Sequence, residues 1–328
     1  METKLSNVFA EDDIQEPIAK NDKISGPRYF FTASCDRSVK QFNINTHKKV
    51  HHYKGIHDDL INAIALTSDG KYFFTASSDK SVKQFSIDTH QEAHHYKGIH
   101  ENYIYAIALT SDDKYLFTMG ADLSVKQFDI ESREEVYHYK RIHDSYIFGI
   151  TLTSDDKYFF TVSADWSVKQ FNIESRQEVH HYQEIHVGLI YAIALTSDSK
   201  YLLTAGADRS VKQFSIDSHQ EVHHYKGIHE HLIHAIALTS DDRYFFTASG
   251  DFSVKQFNIH THQEVHHYKG IGHHSHETVI ALTSDDKYFF IANNVDVKQI
   301  NIETRQQVHH YKGIHEYYIS AIALTPFD

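Results

Sequence analysis

The tetrapeptide Val-Lys-Gln-Phe begins at Val39, Val82, Val125, Val168, Val211 and Val254, and a seventh copy, Val-Lys-Gln-Ile, begins at Val297, always 43 residues after the last. So regular a period means that one supersecondary unit has been copied and that each copy touches mainly its neighbours. A chain of 328 residues therefore needs no second domain.

Within one period, Asn62-Ala-Ile-Ala-Leu66 alternates and runs into Thr67-Ser-Asp-Gly70, a turn whose glycine permits positive φ. Tyr72 to Ser77 is aromatic and β-favouring, Ser81 to Ile87 alternates again, and Ala93 to Ile99 is a last strand rich in His and Tyr. Four short strands fill the period and leave no room for a helix. The fold class read from this is all-β: a seven-bladed β-propeller with four antiparallel strands per blade. Tyr29 to Ser34 matches a second strand, whereas the chain ends on Ile319-Ser-Ala-Ile-Ala-Leu324, which matches a first. Closure then requires one blade built from three N-terminal strands plus one C-terminal strand, which removes two open sheet edges. The propeller spans residues 25–328, behind a flexible N-terminal segment of residues 1–24.

Composition sets the limits on function. Asp and Glu outnumber Lys and Arg 44 to 32, for a formal charge of −12, so a nucleic-acid partner is not expected. No apolar run reaches ~18 residues, so no membrane span is expected. Met1 to Ile24 lacks the cationic-then-apolar pattern of a secretion signal, and a single cysteine, Cys35, fits a reducing compartment; both point to a cytoplasmic protein. The 29 histidines make the charge unusually sensitive to pH.

The residues now resemble the WD-repeat family over nearly all of positions 28 to 325. His57 in Gly55-Ile-His57 stands at the Gly-His of that family, Asp79 at its tight-turn Asp, and Phe85 at the Trp of Trp-Asp. The matching histidines are His100, His143, His186, His229, His315 and, in the irregular seventh unit, His273; the matching aspartates are Asp36, Asp122, Asp165, Asp208 and Asp251, with Asn294 in the seventh copy. The resemblance implies that His57, Asp79 and a strand hydroxyl, from Thr75 or Ser77, form a hydrogen-bonded lock repeated in each blade. Phenylalanine has no indole N–H, so one link is missing in six repeats, and Ile300 replaces it in the seventh.

The residue before that Phe is Gln41, Gln84, Gln127, Gln170, Gln213, Gln256 and Gln299, where the family usually places an apolar side chain. A buried amide without partners costs ~1–3 kcal/mol, so a bond to the outer-strand histidines or to Tyr53 and its equivalents is expected around the ring. Pairs such as His51-His52 point to opposite faces of a strand and cannot readily chelate one ion, so they read as structural or solvated. His273, His274 and His276, in the one-residue-longer stretch Ile271–Glu277, are the one cluster with metal-ligand character. No nucleophile elbow, phosphate-binding glycine loop or Cys-based zinc pattern is present, and a His-Asp pair repeated in every unit argues for structure over catalysis. A non-enzyme without metal or cofactor is expected.

Differences between repeats concentrate in two places. Around the start of the first strand they are Leu60/Asn62, Tyr103/Tyr105, Tyr146/Phe148, Leu189/Tyr191, Leu232/His234, His276/Thr278 and Tyr318/Ser320; in the tight turn they are Arg37, Lys80, Leu123, Trp166, Arg209, Phe252 and Val295. The resemblance implies that both places open on one face around the central channel, a face commonly used for partners. Tyr103, Tyr105, Leu123, Tyr146, Phe148, Trp166, Tyr191, Arg209 and Phe252 are the candidate partner-binding residues, since aromatics with nearby Arg anchor protein interfaces. The function expected is a scaffold for a protein or peptide partner, working as a monomeric propeller or as a subunit of a larger complex. Two alternatives stand beside it: a multivalent small-ligand or glycan binder using the regular Lys40, Lys83, Lys126, Lys169, Lys212, Lys255 and Lys298, and a pH-responsive, histidine-driven assembly.

Overall fold

The computed structural model describes residues 28–271 and 278–326, and every regular element among these residues is a β-strand. Blade 2 shows the pattern. Its strands, from the channel outward, are Ile61–Leu66, Tyr72–Ser77, Val82–Ser86 and Glu92–Tyr96, paired antiparallel in chain order. Blades 3 to 7 repeat it, with innermost strands Ile104–Leu109, Ile147–Leu152, Ile190–Leu195, Ile233–Leu238 and Thr278–Leu282. Blade 1 joins the two ends of the chain, since Ile319–Leu324 pairs with Tyr29–Ser34, followed by Val39–Asn43 and Lys49–Tyr53. Its register sets Phe30 opposite Leu324 and Thr32 opposite Ile322.

The core lies between blades. Phe31, Ala33, Val39 and Tyr53 of blade 1 pack on Phe73, Phe85 and Ile87 of blade 2, and each of the other six interfaces has an equivalent cluster. The second strands, such as Tyr72–Ser77, are buried on both faces after their first residue, which explains their near-continuous apolar composition. Fully burying one such Phe contributes ~1.5–3 kcal/mol.

A second tie between blades runs through the turns at the opposite end from the tight turns. Ser68 donates through both its N–H and its hydroxyl to Asp113 of the next blade, and Ser111 to Asp156, Ser197 to Asp242 and Ser240 to Asp286 repeat this. These acceptor aspartates sit at φ of 54° to 56°, a conformation that Asp tolerates better than most residues. Blade 2 carries Gly70 at this position, with φ 64°. On the other side of blade 1, Arg28 bridges to Asp285 at 2.9 Å.

The innermost strand is kinked in six blades. Between Ile61 and Ala63 the register slips, leaving Asn62 as an extra residue, and the same slip occurs at Tyr105, Phe148, Tyr191, His234 and Ser320. A bulge of this kind re-aims one side chain and sharpens the local twist. Blade 7 pairs Thr278 with Asn293 and Val279 with Ala292 without a slip.

Candidate functional site

The bulged residues meet at the axis. Asn62, Tyr105, Phe148, Tyr191, His234, Thr278, Val279 and Ser320 line one 260 Å³ cavity in the channel. Its wall is uneven. Phe148 lies 5.5 Å from Tyr191, which lies 5.9 Å from His234, so blades 4 to 6 give an aromatic arc. On the other side Asn62 donates to the Ile104 carbonyl at 2.9 Å, and the Ser320 hydroxyl donates to the Ile61 carbonyl at 2.5 Å.

Both variable places lie at one end of the blades and are stitched together there. The carbonyls of Leu60, Tyr103, Tyr146, Leu189 and Leu232 accept from the N–H groups of Ser78, Ala121, Ala164, Ala207 and Gly250, and Tyr318 accepts from Cys35. On this rim Tyr103 is 45% exposed, Tyr146 52% and Trp166 45%. Arg209 reaches the Glu230 carbonyl at 3.5 Å. Leu123 borders a 720 Å³ cleft with Glu101, Asn102, Lys140 and Arg141. The equivalent cleft one blade earlier, at Asp58, Asp79, Lys83, His95 and Lys97, measures 300 Å³. Tyr317 is 61% exposed on the same rim. Repeat comparison passes it over because its counterparts are Asp59, Asn102, Ser145, Gly188 and His231, all small or polar.

The tight-turn residues Arg37, Lys80, Leu123, Trp166, Arg209 and Phe252 all have φ between 63° and 70°. For Leu, Trp and Phe this is a strained choice at a position that Gly or Asn fills at little cost. Blade 7 has a shorter turn, Asn294-Val295, and carries its positive φ of 55° on Asn294.

Behind the rim, six blades carry the same hydrogen-bonded set. In blade 2, His57 Nδ1 donates to Asp79 at 2.8 Å, and the Thr75 hydroxyl meets Nε2 at 2.8 Å. Asp79 also accepts from the Asp58 N–H and from both the N–H and the hydroxyl of Ser81. The proton belongs on Nδ1, opposite the carboxylate, with Nε2 accepting from Thr75. Ser77 has a different task, donating its hydroxyl to the Asp59 carbonyl. The set recurs as His100–Asp122, His143–Asp165, His186–Asp208 and His229–Asp251. Across the closing blade, His315 meets Asp36 at 2.7 Å and Thr32 at 2.8 Å.

Burial alone would push the Asp79 carboxyl up. Hydrogen bonds from His57 and Ser81, the adjacent imidazole and the Asp58 N–H outweigh it and hold the group well below the usual carboxylate range, as at the other five aspartates. Both imidazole nitrogens and both carboxylate oxygens are spent inside the blade, which leaves this set suited to fixing a turn. Phe85 takes no part in the hydrogen bonding. It stacks on Phe73 at 5.2 Å and meets Tyr53 of the preceding blade edge-on at 5.7 Å, so apolar packing fills the place of the missing indole. Blade 7 has Ile291 where the others have Thr, and His273, His274 and His276 lie outside the described residues.

The glutamine ring is buried throughout, at 1% to 7% exposure, but its bonding is not uniform. Gln41, Gln213 and Gln299 accept from Tyr53, Tyr225 and Tyr311 at 3.2 to 3.4 Å, whereas Gln127 and Gln170 have side-chain oxygens with no partner among the described residues. The expectation of one bond repeated around the ring is corrected accordingly. The reason lies in the next blade: those three tyrosines are also the ones bonded to His90, His262 and His47, at 2.8 to 3.0 Å. With the phenol oxygen taking the imidazole N–H, its own proton is directed at the amide.

The regular lysines are also less solvated than their strand positions suggest. Lys83, Lys126, Lys169, Lys212 and Lys255 pair with Glu92, Glu135, Glu178, Glu221 and Glu264 at 2.8 to 3.1 Å, with lysine side chains only 15% to 17% exposed. Lys40 faces Lys49 instead of a Glu and turns to the Ile314 carbonyl, while Lys298 turns to the Ile271 carbonyl. Among the described residues no group of three or more His, Cys, Asp or Glu side chains could hold a metal ion.

The family model described as WD domain, G-beta repeat matches residues 47–86, 177–215 and 220–258. No curated protein matches the chain. Each matched stretch runs from the outer part of one blade through the lock of the next, or through the strand that carries Phe85 and its equivalents. With three such matches and seven four-stranded blades closed by the joined chain ends, the chain carries WD repeats on a seven-bladed β-propeller.

Proposed function

We propose that this protein is a cytoplasmic, non-catalytic scaffold that captures a protein or peptide on the channel face. WD-repeat propellers are commonly protein-interaction scaffolds and are typically non-catalytic. The observation that carries the reading is conformational. Leu123, Trp166 and Phe252 are held at φ of 66°, 68° and 68° on the rim. A bulky side chain in that region costs ~1–3 kcal/mol and persists where something other than local stability favours it. Tyr103 and Tyr146, about half exposed, stand on the same blades as Leu123 and Trp166. A multivalent small-ligand or glycan binder needs equivalent blades, and the clefts of 300 and 720 Å³ at equivalent positions do not supply them.

The test compares three proteins in capture from the native source: the parent, a Trp166→Ala/Tyr146→Ala variant, and a Lys71→Ala/Lys157→Ala variant altered at the other end of the strands. A partner held by the first and third and lost from the second, with melting curves unchanged, supports the assignment. Equal capture by all three refutes the face.

A further inference from the structure

Outer strands meet the following blade through a contact in which one side chain changes identity around the ring. His51 of blade 1 stacks face to face on His90 of blade 2, with ring centroids 4.1 Å apart and 8° between planes. His180 stacks on His219 at 4.0 Å, His223 on His262 at 3.9 Å, and His309 on His47 at 4.3 Å, all within 8° of parallel. These are the seams between blades 1 and 2, 4 and 5, 5 and 6, and 7 and 1. At the other three seams the second partner is Arg: Arg133 against His94, Arg305 against His266, and Arg176 over the Tyr137 ring at 4.8 Å.

We propose that the four histidine-stacked seams are acid-sensitive joints: as pH falls from 7.5 to 5.5 they loosen and release the outer strands of blades 1, 4, 5 and 7, while the Tyr137–Arg176 seam stays closed. This does not rest on the channel-face reading.

Two imidazoles stacked at about 4 Å are compatible when both are neutral or when one is charged, since a cation sits well on an aromatic face. Two imidazolium rings at that separation repel strongly in a partly buried site. The surroundings supply little counter-charge. His51 faces the uncharged Gln41 across its blade and Tyr53 along its strand. His309 and His47 face Gln299 and Tyr311, with His310 next in the strand. His223 and His262 face Gln213 and Tyr225, with His260 beside them. Around His180 stand Gln170, Tyr182, His181 and Glu178, and His223 has Glu221 at the matching strand position; Lys169 and Lys212 already hold these two carboxylates, at 3.0 and 2.8 Å.

Burial first, and then the stacked partner, lowers the proton affinity of His51, His47, His180 and His262. A histidine whose pKa is lower in the closed seam than in the open one takes up its proton on opening. The closed state is therefore fully stable above the ordinary histidine value of ~6.5 and loses stability as pH falls below it.

Amide hydrogen exchange at pH 7.5 and 5.5, corrected for the intrinsic pH dependence, reads each seam separately. The expected result is acceleration of at least about tenfold at residues 49–53, 178–182, 221–225 and 307–311, and at least about threefold less at 135–139, where His138 is lowered by burial and then by Lys126, tenfold corresponding to ~1.4 kcal/mol. The variant His51→Tyr/His90→Arg installs at the first seam the pair that the chain already uses between blades 3 and 4. It is expected to cut the acceleration at residues 49–53 by at least about threefold, leaving the part due to His52, while the other three stacked seams keep their response. Equal acceleration at all seven outer strands of the unmodified protein, or no acceleration at the stacked ones, overturns the proposal without any variant. Acid acceleration undiminished at 49–53 in a folded double variant overturns it as well.

Discussion

Replacing Thr161 with Val tests whether the repeated His-Asp-Thr set holds the blades together. Thr161 is completely buried, His143 is 3% exposed, and the hydroxyl meets His143 Nε2 at 2.9 Å. Valine keeps the volume, so no cavity term arises, and the change leaves one buried imidazole nitrogen without a donor. That desolvated, unpartnered group costs about 1–3 kcal/mol. For a ring of about 300 residues with ~2.1 cal/mol/K of unfolding entropy per residue, this corresponds to a melting-point drop of ~2–5 °C. Urea melts should show a lower midpoint with an unchanged slope, because the surface exposed on unfolding is the same. Thr161→Ser separates hydroxyl from methyl: it keeps the bond and should cost less than Val. A Val variant within ~0.5 kcal/mol of the parent, or a Ser variant less stable than Val, would refute the assignment.

Three further outcomes follow from the same geometry. Gln127→Leu removes a buried oxygen with no partner and should stabilise, whereas Gln213→Leu strips Tyr225 of its acceptor and should not; urea midpoints separated by less than ~0.5 kcal/mol, or in the reverse order, would contradict this. Acid unfolding should have two limbs. His52, lowered to about 4 by burial and then by Lys40, gives up its stabilisation as pH falls from ~6.5 towards 4, while the lock aspartates, depressed below ~3.9, hold theirs until the pH drops below that value; a melting temperature flat between pH 6.5 and 4.5 would disprove the first limb. Deleting residues from Ala321 onward exposes the edge of Tyr29–Ser34 and removes Ile322 from the core, so sedimentation should show association and the melt should broaden; an unchanged monomer with an unchanged melt would disprove closure.

The blade frame was legible because strand alternation, turn residues and a 43-residue period all pointed to one unit. The closing strand followed from the offset of Tyr29 and Ile319 within that unit. What the sequence did not show were contacts made across blades. Ser68 to Asp113 and His51 to His90 join residues whose partners depend on how two sheets are set against each other, and no spacing within one repeat encodes that. The channel ring was legible as variability at Asn62, Tyr105, Phe148 and Tyr191. Its cause was not, since a bulge is a register slip that leaves apolar alternation on either side nearly intact.

Blade 7 departs from the lock at several of its described positions. Ile291 removes the hydroxyl, the tight turn shortens to Asn294-Val295, and the innermost strand has no bulge. Asp296, standing where the other blades have the turn Ser, takes His310 at 2.8 Å and the Gly313 N–H at 2.7 Å instead. Asn293 and Lys298 both close on the Ile271 carbonyl at 3.1 Å. Losing the threonine alone would have left a buried imidazole half satisfied, which is worse than an apolar site. The seventh blade accordingly replaces hydroxyl, turn and acceptor together, while six others keep all of them. Joint replacement of this kind belongs to a structural network, and it leaves the bulged channel residues and the tight turns as the places where blades are free to differ.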